Sequence, residues 1–186
     1  ITVDDTLFNV QNAGQDWSLT QVGTDSYRFE VRAGDTWMID PSTKNRSEIS
    51  MRTDIAEGNA INVSYKMTID PGAANTASFT TLGQFHQSES GGGQGLAPPF
   101  AIGLQGENMV VTVAYRDATG KDVVETIFTD KAPVSRGSEY AFNIQATFDP
   151  DGSAHLVVVR NGVTIADYSG KLGWPGQTGV YWKEGI

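Results

Sequence analysis

Cysteine is absent from all 186 residues, which excludes disulfides, thiolate metal sites and cysteine nucleophiles. Its absence does not fix the compartment, because secreted bacterial enzymes often carry none. Positive charge is also scarce: 13 Lys+Arg stand against 22 Asp+Glu, a formal net charge of −9. That balance argues against a nucleic-acid backbone or an anionic membrane surface as partner. No apolar run approaches the roughly 18 residues that a membrane span needs. The opening ITVDDTLFNV has neither the basic nor the apolar region of a signal peptide, so the numbering is read as starting at a mature or trimmed end. Helical patterning is missing too, since no long stretch repeats its apolar residues with a period of 3.6.

What the chain does have is two-fold alternation rich in Val, Ile, Thr, Phe and Tyr, broken at short intervals by Gly, Asp, Asn and Pro. Strands are expected near residues 17–22, 27–31, 47–53, 60–69, 77–87, 100–104, 109–116, 122–129, 140–148, 154–160 and 163–168. Asn161-Gly162 is a two-residue hairpin signal, and Asp151-Gly152 and Thr119-Gly120 read as further tight turns. Many strands of this length without repeats or linkers predict an all-β fold: a two-sheet antiparallel jelly-roll sandwich, concanavalin A-like, with very little helix. Residues 1–186 are read as a single domain. The irregular stretch from Ser88 to Pro99 (SESGGGQGLAPP) reads as a surface loop, either a plain connection or a flap over a cleft.

Two polar strand faces and the end of the chain hold the candidate chemistry. Of the two histidines, His155 lies in AHLVVVR and reads as a surface strand residue, whereas His86 shares a strand face with Gln84 and Ser88 just before the Gly-rich loop. Alone, that histidine reads better as a structural or exposed residue than as a functional one. In KNRSEISMRTD the residues Arg46, Glu48, Ser50 and Arg52 alternate with smaller or apolar ones. This is either a solvated edge or an anion-reading platform in which Glu48 holds the cations in place. Tyr181 and Lys183 share a face of a strand that ends at Ile186. The chain stops there in mid-strand, so the domain is expected to be trimmed at its C-terminus.

Taken together, Arg-Ser-Glu-Ile at 46–49, Gln84-Phe85-His86 and the run from Tyr181 to Ile186 occur in the order and approximate spacing of the jelly-roll polysaccharide lyases. That family includes glucuronan lyases, heparin lyase I-like proteins and alginate lyases with Arg-Ser/Thr-Glu-Leu-Arg, Gln-Ile/Val-His and Tyr-Phe-Lys-x-Gly-x-Tyr signatures. YRFEVRAGD at 27–35 and PPFAIGL at 98–104 resemble the glucuronan and heparin lyase-like branch. The resemblance covers most of the chain. It implies β-elimination on a uronate-containing polysaccharide: removal of the C5 proton beside the carboxylate and expulsion of the 4-linked oxygen. Such a site needs donors that neutralise the carboxylate, a base near C5 and an acid for the leaving oxygen. By family position Arg46 and Gln84 take the neutralising role, His86 that of the base, and Lys183 adds positive charge beside the enolate. Glu48, Arg52 and Tyr181 are assigned to substrate binding.

Two departures from the family pattern carry weight. The last tyrosine of the third signature would fall at position 187, past the end of the sequence. The second arginine of the alginate-lyase signature is Ser50 here, and Arg52 lies two residues, roughly 7 Å, further along. A glucuronan-like β-1,4-linked polymer is therefore favoured over alginate. No cofactor or metal is required. A structural calcium at Asp149 to Gly152 or Asp117 to Asp122 stays open, although Asp and Gly are also what β-turns use. A glycan on the sequon at Asn45 would crowd the site, which favours a bacterial origin or an unmodified sequon. The expected protein is a secreted monomer acting on an anionic polysaccharide. The competing readings are a non-catalytic carbohydrate-binding sandwich and a glucanase-type hydrolase. The latter needs paired carboxylates that the strand around Glu48 does not supply. A local cationic strip of Arg46, Arg52 and Lys183 is expected inside an acidic shell.

Overall fold

Alternating apolar and polar residues give each extended segment one face to bury, and the computed structural model, which describes residues 1–88 and 95–186, satisfies this with two stacked antiparallel sheets. The strands in chain order are β1 (Thr2–Val3), β2 (Thr6–Asn12), β3 (Leu19–Gly23), β4 (Ser26–Phe29), β5 (Ser47–Met51), β6 (Ile55–Ala56), β7 (Ile61–Thr68) and β8 (Thr80–Gln87). They continue with β9 (Phe100–Gln105), β10 (Asn108–Arg116), β11 (Asp122–Thr129), β12 (Glu139–Thr147), β13 (Asp149–Arg160), β14 (Val163–Leu172) and β15 (Gly179–Gly185). The larger sheet has nine strands in the order β1-β2-β5-β15-β8-β9-β10-β11, with β6 also paired to β15. The second runs β14-β13-β12-β7, and β3-β4 form a separate hairpin. The described residues contain no helix, and the architecture is the all-β jelly-roll sandwich that the alternation predicts.

Pairing is non-local where it matters. The last strand, β15, inserts between β5 and β8, so three segments far apart in sequence become neighbours in the middle of the larger sheet. The inward faces of β8, β9, β10 and β15 supply Phe85, Phe100, Ile102, Val111, Val113, Val180 and Trp182, which pack with Phe142, Ile144, Leu156 and Val158 of the other sheet. Phe85 sits edge-on to Trp182 with ring centroids 4.9 Å apart, and to Phe148 at 5.1 Å. Gly83 is required by this packing, because a Cβ there would lie 2.9 Å from the Trp182 ring and 3.0 Å from the Tyr65 hydroxyl. The aromatic cluster thereby fixes how β15 lies against β8, and a one-residue slip would reverse every side chain on it.

The expected turn at Asn161-Gly162 is present with φ of 52° and 77°, the left-handed pair of a type I′ hairpin. Asp151-Gly152 differs from expectation. It lies inside β13, in an irregular stretch between the Asp149↔Leu172 and Ala154↔Gly170 pairs, because β14 continues to Leu172 and holds the segment extended. Strand β2 is not among the expected strands. Its TLFNVQN sequence alternates weakly, and pairing with β5 recruits it. The loop expected from Ser88 to Pro99 lies partly outside the described residues.

Candidate functional site

The outward face of the larger sheet is polar where the inward face is aromatic. Direct cross-strand partners place Tyr181 beside His86 and Lys183 beside Gln84, while Lys183 also faces Ser50 across β5. One row therefore runs Asn9, Ser50, Lys183, Gln84, Ala101, Thr112, Thr126 across seven strands. From Lys183 to Thr126 the row floors a groove with a cavity volume of about 1110 Å³, which Arg46, Glu48, Gln84, His86 and Lys183 all line. Its walls include Lys44 and Asn45 on one side, and Phe79 and Leu96 to Pro98 elsewhere.

Glu48 is the hub of the charged end. It is 6% exposed and lies outward on β5. Its Oε1 accepts from Arg46 Nη1 and pairs with Lys183 Nζ, and its Oε2 accepts from Gln84 Nε2 at 3.1 Å. Both oxygens are thus turned to protein groups, so Glu48, assigned above to substrate binding, acts on the donors around it. Arg46 precedes β5 and is held from behind by Asp40, with Nε and Nη2 donating to its two oxygens at 2.5 and 3.0 Å. Gln11 of β2 accepts from Nη1 at 3.2 Å, and the Trp37 ring lies 5.6 Å from the guanidinium carbon. Asp40, Gln11 and Lys44 were missed by sequence reasoning. Asp40-Pro41 carries a turn signal, but its pairing with Arg46 depends on how the chain from 35 to 46 folds back, where the Arg46 amide donates to the Asp35 carbonyl at 2.9 Å.

Lys183 is 4% exposed. Burial pushes its ammonium below the usual lysine range, Glu48 opposes this, and the Arg46 guanidinium adds to it. His86 is half-buried and stacked on Tyr181, with ring centroids 5.4 Å apart. The Tyr181 hydroxyl lies 3.2 Å from His86 Nδ1, and the same nitrogen lies 3.2 Å from the Gln87 carbonyl oxygen. A proton on Nδ1 serves both contacts and leaves the lone pair on Nε2. On the inward face of the same strand, burial pushes the Glu184 carboxyl up to about 7, while Trp182 Nε1, which donates to it at 3.4 Å, works the other way.

The structure thus brings Arg46, Glu48, Gln84, His86, Lys183 and Tyr181 together. Arg52 does not join them. The strand ends at Met51, the chain bends at 52, and Arg52 is exposed and outside the groove lining. The cationic strip is accordingly Arg46 and Lys183, with Lys44 added at the rim. His155 is exposed and pairs with Asp167 at 2.9 Å. Among the described residues no group of three or more His, Asp or Glu side chains could hold a metal ion. Asp117 Oδ1 instead accepts from the Thr119 and Lys121 amides at 2.8 and 3.0 Å, and Asp149 Oδ1 from the Asp151 amide at 2.7 Å.

The jelly-roll sheet carries clustered arginine, glutamine, histidine and lysine over an open groove. Comparison with known families assigns the class. The polysaccharide lyase family model matches residues 8–186, and the chain belongs to that family. It is a polysaccharide lyase, and its substrate is a polysaccharide. No curated protein matches it in sequence. Among solved structures it is similar to an endo-β-1,4-glucuronan lyase from the fungus Trichoderma reesei (13% identity, 96% of this chain and 82% of that one, TM-score 0.49). It is also similar to a polysaccharide lyase of family 18 (12% identity, 96% and 74%, TM-score 0.50) and to the alginate lyase from Alteromonas sp.272 (14%, 96% and 74%, TM-score 0.49). At such identities the likeness concerns the fold.

Proposed function

We propose that the groove cleaves a 4-linked uronate by β-elimination, with glucuronate as the residue cut and an extracellular polymer as substrate. The observation that supports this most is the convergence of three donors, Arg46, Gln84 and Lys183, on Glu48 beside the His86–Tyr181 pair. Arg46 has five N–H groups, of which four are engaged by Asp40, Glu48 and Gln11. The remaining Arg46 N–H, one N–H of Gln84 and two of Lys183 form a pre-aligned donor set for a substrate carboxylate. Donors fixed in this way need no reorganisation as charge moves from C5 onto the carboxylate. His86, with its proton on Nδ1, takes the C5 proton through Nε2 as the C4–O4 bond breaks and the C4=C5 double bond forms, the expelled 4-oxygen taking its proton from water in the open groove, and Tyr181 braces the ring. Lys183, with its lowered affinity for its proton, lends positive charge beside the enolate.

The same geometry favours glucuronan over alginate as the reference polymer. Arg46 is the guanidinium that the β5 region brings to the groove, since Ser50 stands where the alginate-lyase signature has arginine and Arg52 lies outside. The test is incubation with glucuronan and with alginate in oxygen-18-labelled water, following ultraviolet absorbance of the unsaturated product and the product mass. Elimination gives absorbance and no label. Label without absorbance would mean hydrolysis and would overturn the reading.

A further inference from the structure

Beyond the elimination cluster the groove changes character. From Gln84 the paired row continues through Ala101, Thr112 and Thr126 without a charged side chain. Phe79 stands beside this row, 40% exposed. Its ring lies over Gly103, where a Cβ would come within 2.9 Å of the ring and 2.5 Å of the Thr80 carbonyl oxygen, so a side chain at 103 would displace it. Val124, 60% exposed, continues the apolar surface. An exposed aromatic ring in a groove otherwise floored by Thr and Ala offers a platform for the C–H face of a sugar and hydroxyl partners for its rim.

Charge points the same way. The cations lining the groove are Lys44, Arg46, Arg136 and Lys183. Arg46 and Lys183 are balanced by Asp40 and Glu48. Arg136 donates to both oxygens of Glu107 at 3.0 and 2.7 Å and to the Asp70 carbonyl at 3.0 Å. Lys44, exposed at the rim, has no ion-pair partner among the described residues. Among the described residues the groove therefore holds one uncompensated positive charge, in a chain of net charge −9. A polymer with a carboxylate on every ring would set further anions over the Phe79 half, where no free cation meets them and desolvating them is costly.

We propose that the Phe79–Gly103 half is a neutral-sugar subsite, and that the substrate is a heteropolysaccharide in which the cleaved uronate is flanked by uncharged rings. The cleaved uronate rests on the elimination reading above; the subsite rests on Phe79, Gly103 and the charge count. The test uses two oligosaccharides of equal length: deacylated gellan fragments, in which each 4-linked glucuronate has neutral glucose on either side, and glucuronan fragments. Affinities are measured by calorimetry at low salt for the wild type, Phe79→Ala and Phe79→Leu. Gellan fragments should bind at least roughly fivefold tighter than glucuronan fragments. Phe79→Ala should weaken gellan binding roughly two- to twelvefold, the span of one aromatic contact, with Phe79→Leu between and glucuronan binding unchanged. Equal or tighter glucuronan binding, or indifference to Phe79, would overturn the proposal. If gellan binding depends on Phe79 but no uronate polymer yields unsaturated product, the subsite stands and the elimination reading fails. Efficient glucuronan cleavage that ignores Phe79 gives the converse.

Discussion

Replacing Glu48 by Gln removes one negative charge from a cluster in which Arg46 and Lys183 face Asp40 and Glu48. Gln is nearly isosteric, so the substitution changes charge and not volume. Arg46 keeps Asp40, but Lys183, 4% exposed, loses the carboxylate that holds its proton. Breaking a buried pair from one side costs about 3 to 5 kcal/mol. The amide retains part of the hydrogen bonding, so about 3 kcal/mol is expected, a fall in Tm of roughly 6 to 12 °C for a chain of this size. The loss should vary with pH in a definite direction. In the variant Lys183 titrates lower still, so the folded form binds fewer protons than the unfolded one over a wider range below the usual lysine value. Stability then rises with pH across that range more steeply than in the wild type. Turnover should also drop by at least roughly a hundredfold, because Arg46, Gln84 and Lys183 are released together and the donor set loses its alignment. Calorimetric melting against pH, with turnover on the same samples, tests both. A Tm within about 2 °C of wild type, equivalent to less than about 1 kcal/mol, together with unchanged turnover would refute Glu48 as the hub.

Glu184 lies behind the site, with its carboxyl raised from 4.5 to about 7 by burial. The folded form keeps a proton that the unfolded chain has released, so stability should fall as pH rises from 4.5 towards 7, by at most about 3 kcal/mol. Glu184→Gln should abolish that slope in melting curves, and an unaltered slope would place the titration elsewhere. Lys44→Ala should lower kcat/KM a few-fold at low salt and hardly at all at high salt, as befits a lone exposed charge; salt-independent loss would contradict this. Arg52→Ala, outside the groove, should leave kcat and KM within about twofold of wild type, the range expected of a surface change.

The outline of the fold was legible because alternation and turn chemistry are local. The Asn161-Gly162 hairpin, the strands from Phe100 to Thr129 and the scarcity of helix follow from residues close in sequence. The site was half legible. Residues on one strand face stay together under any pairing, which is why Gln84 and His86, or Tyr181 and Lys183, could be linked from spacing alone. Arg52 failed the same rule because the strand ends first, and nothing in RTD marks the bend. Gln11 reaches Arg46 only once β2 pairs with β5, and Asp40 only once the chain from 35 to 46 folds back. Nor does the sequence show that Glu48 turns both oxygens to its own donors: its role follows from the insertion of β15 between β5 and β8.

The central claim, that His86 in this groove takes the C5 proton, is tested most directly by His86→Ala. Turnover to unsaturated product should be compared with wild type on the same uronate polymer, with melting temperature recorded alongside. His86 is half-buried at a strand end and away from the Phe85–Trp182 core, so Tm should barely move. Loss of a general base should lower kcat by roughly 10² to 10⁴. A variant that melts like the wild type and keeps more than about a tenth of its turnover, a cost of under 1.4 kcal/mol in the barrier, would contradict the account.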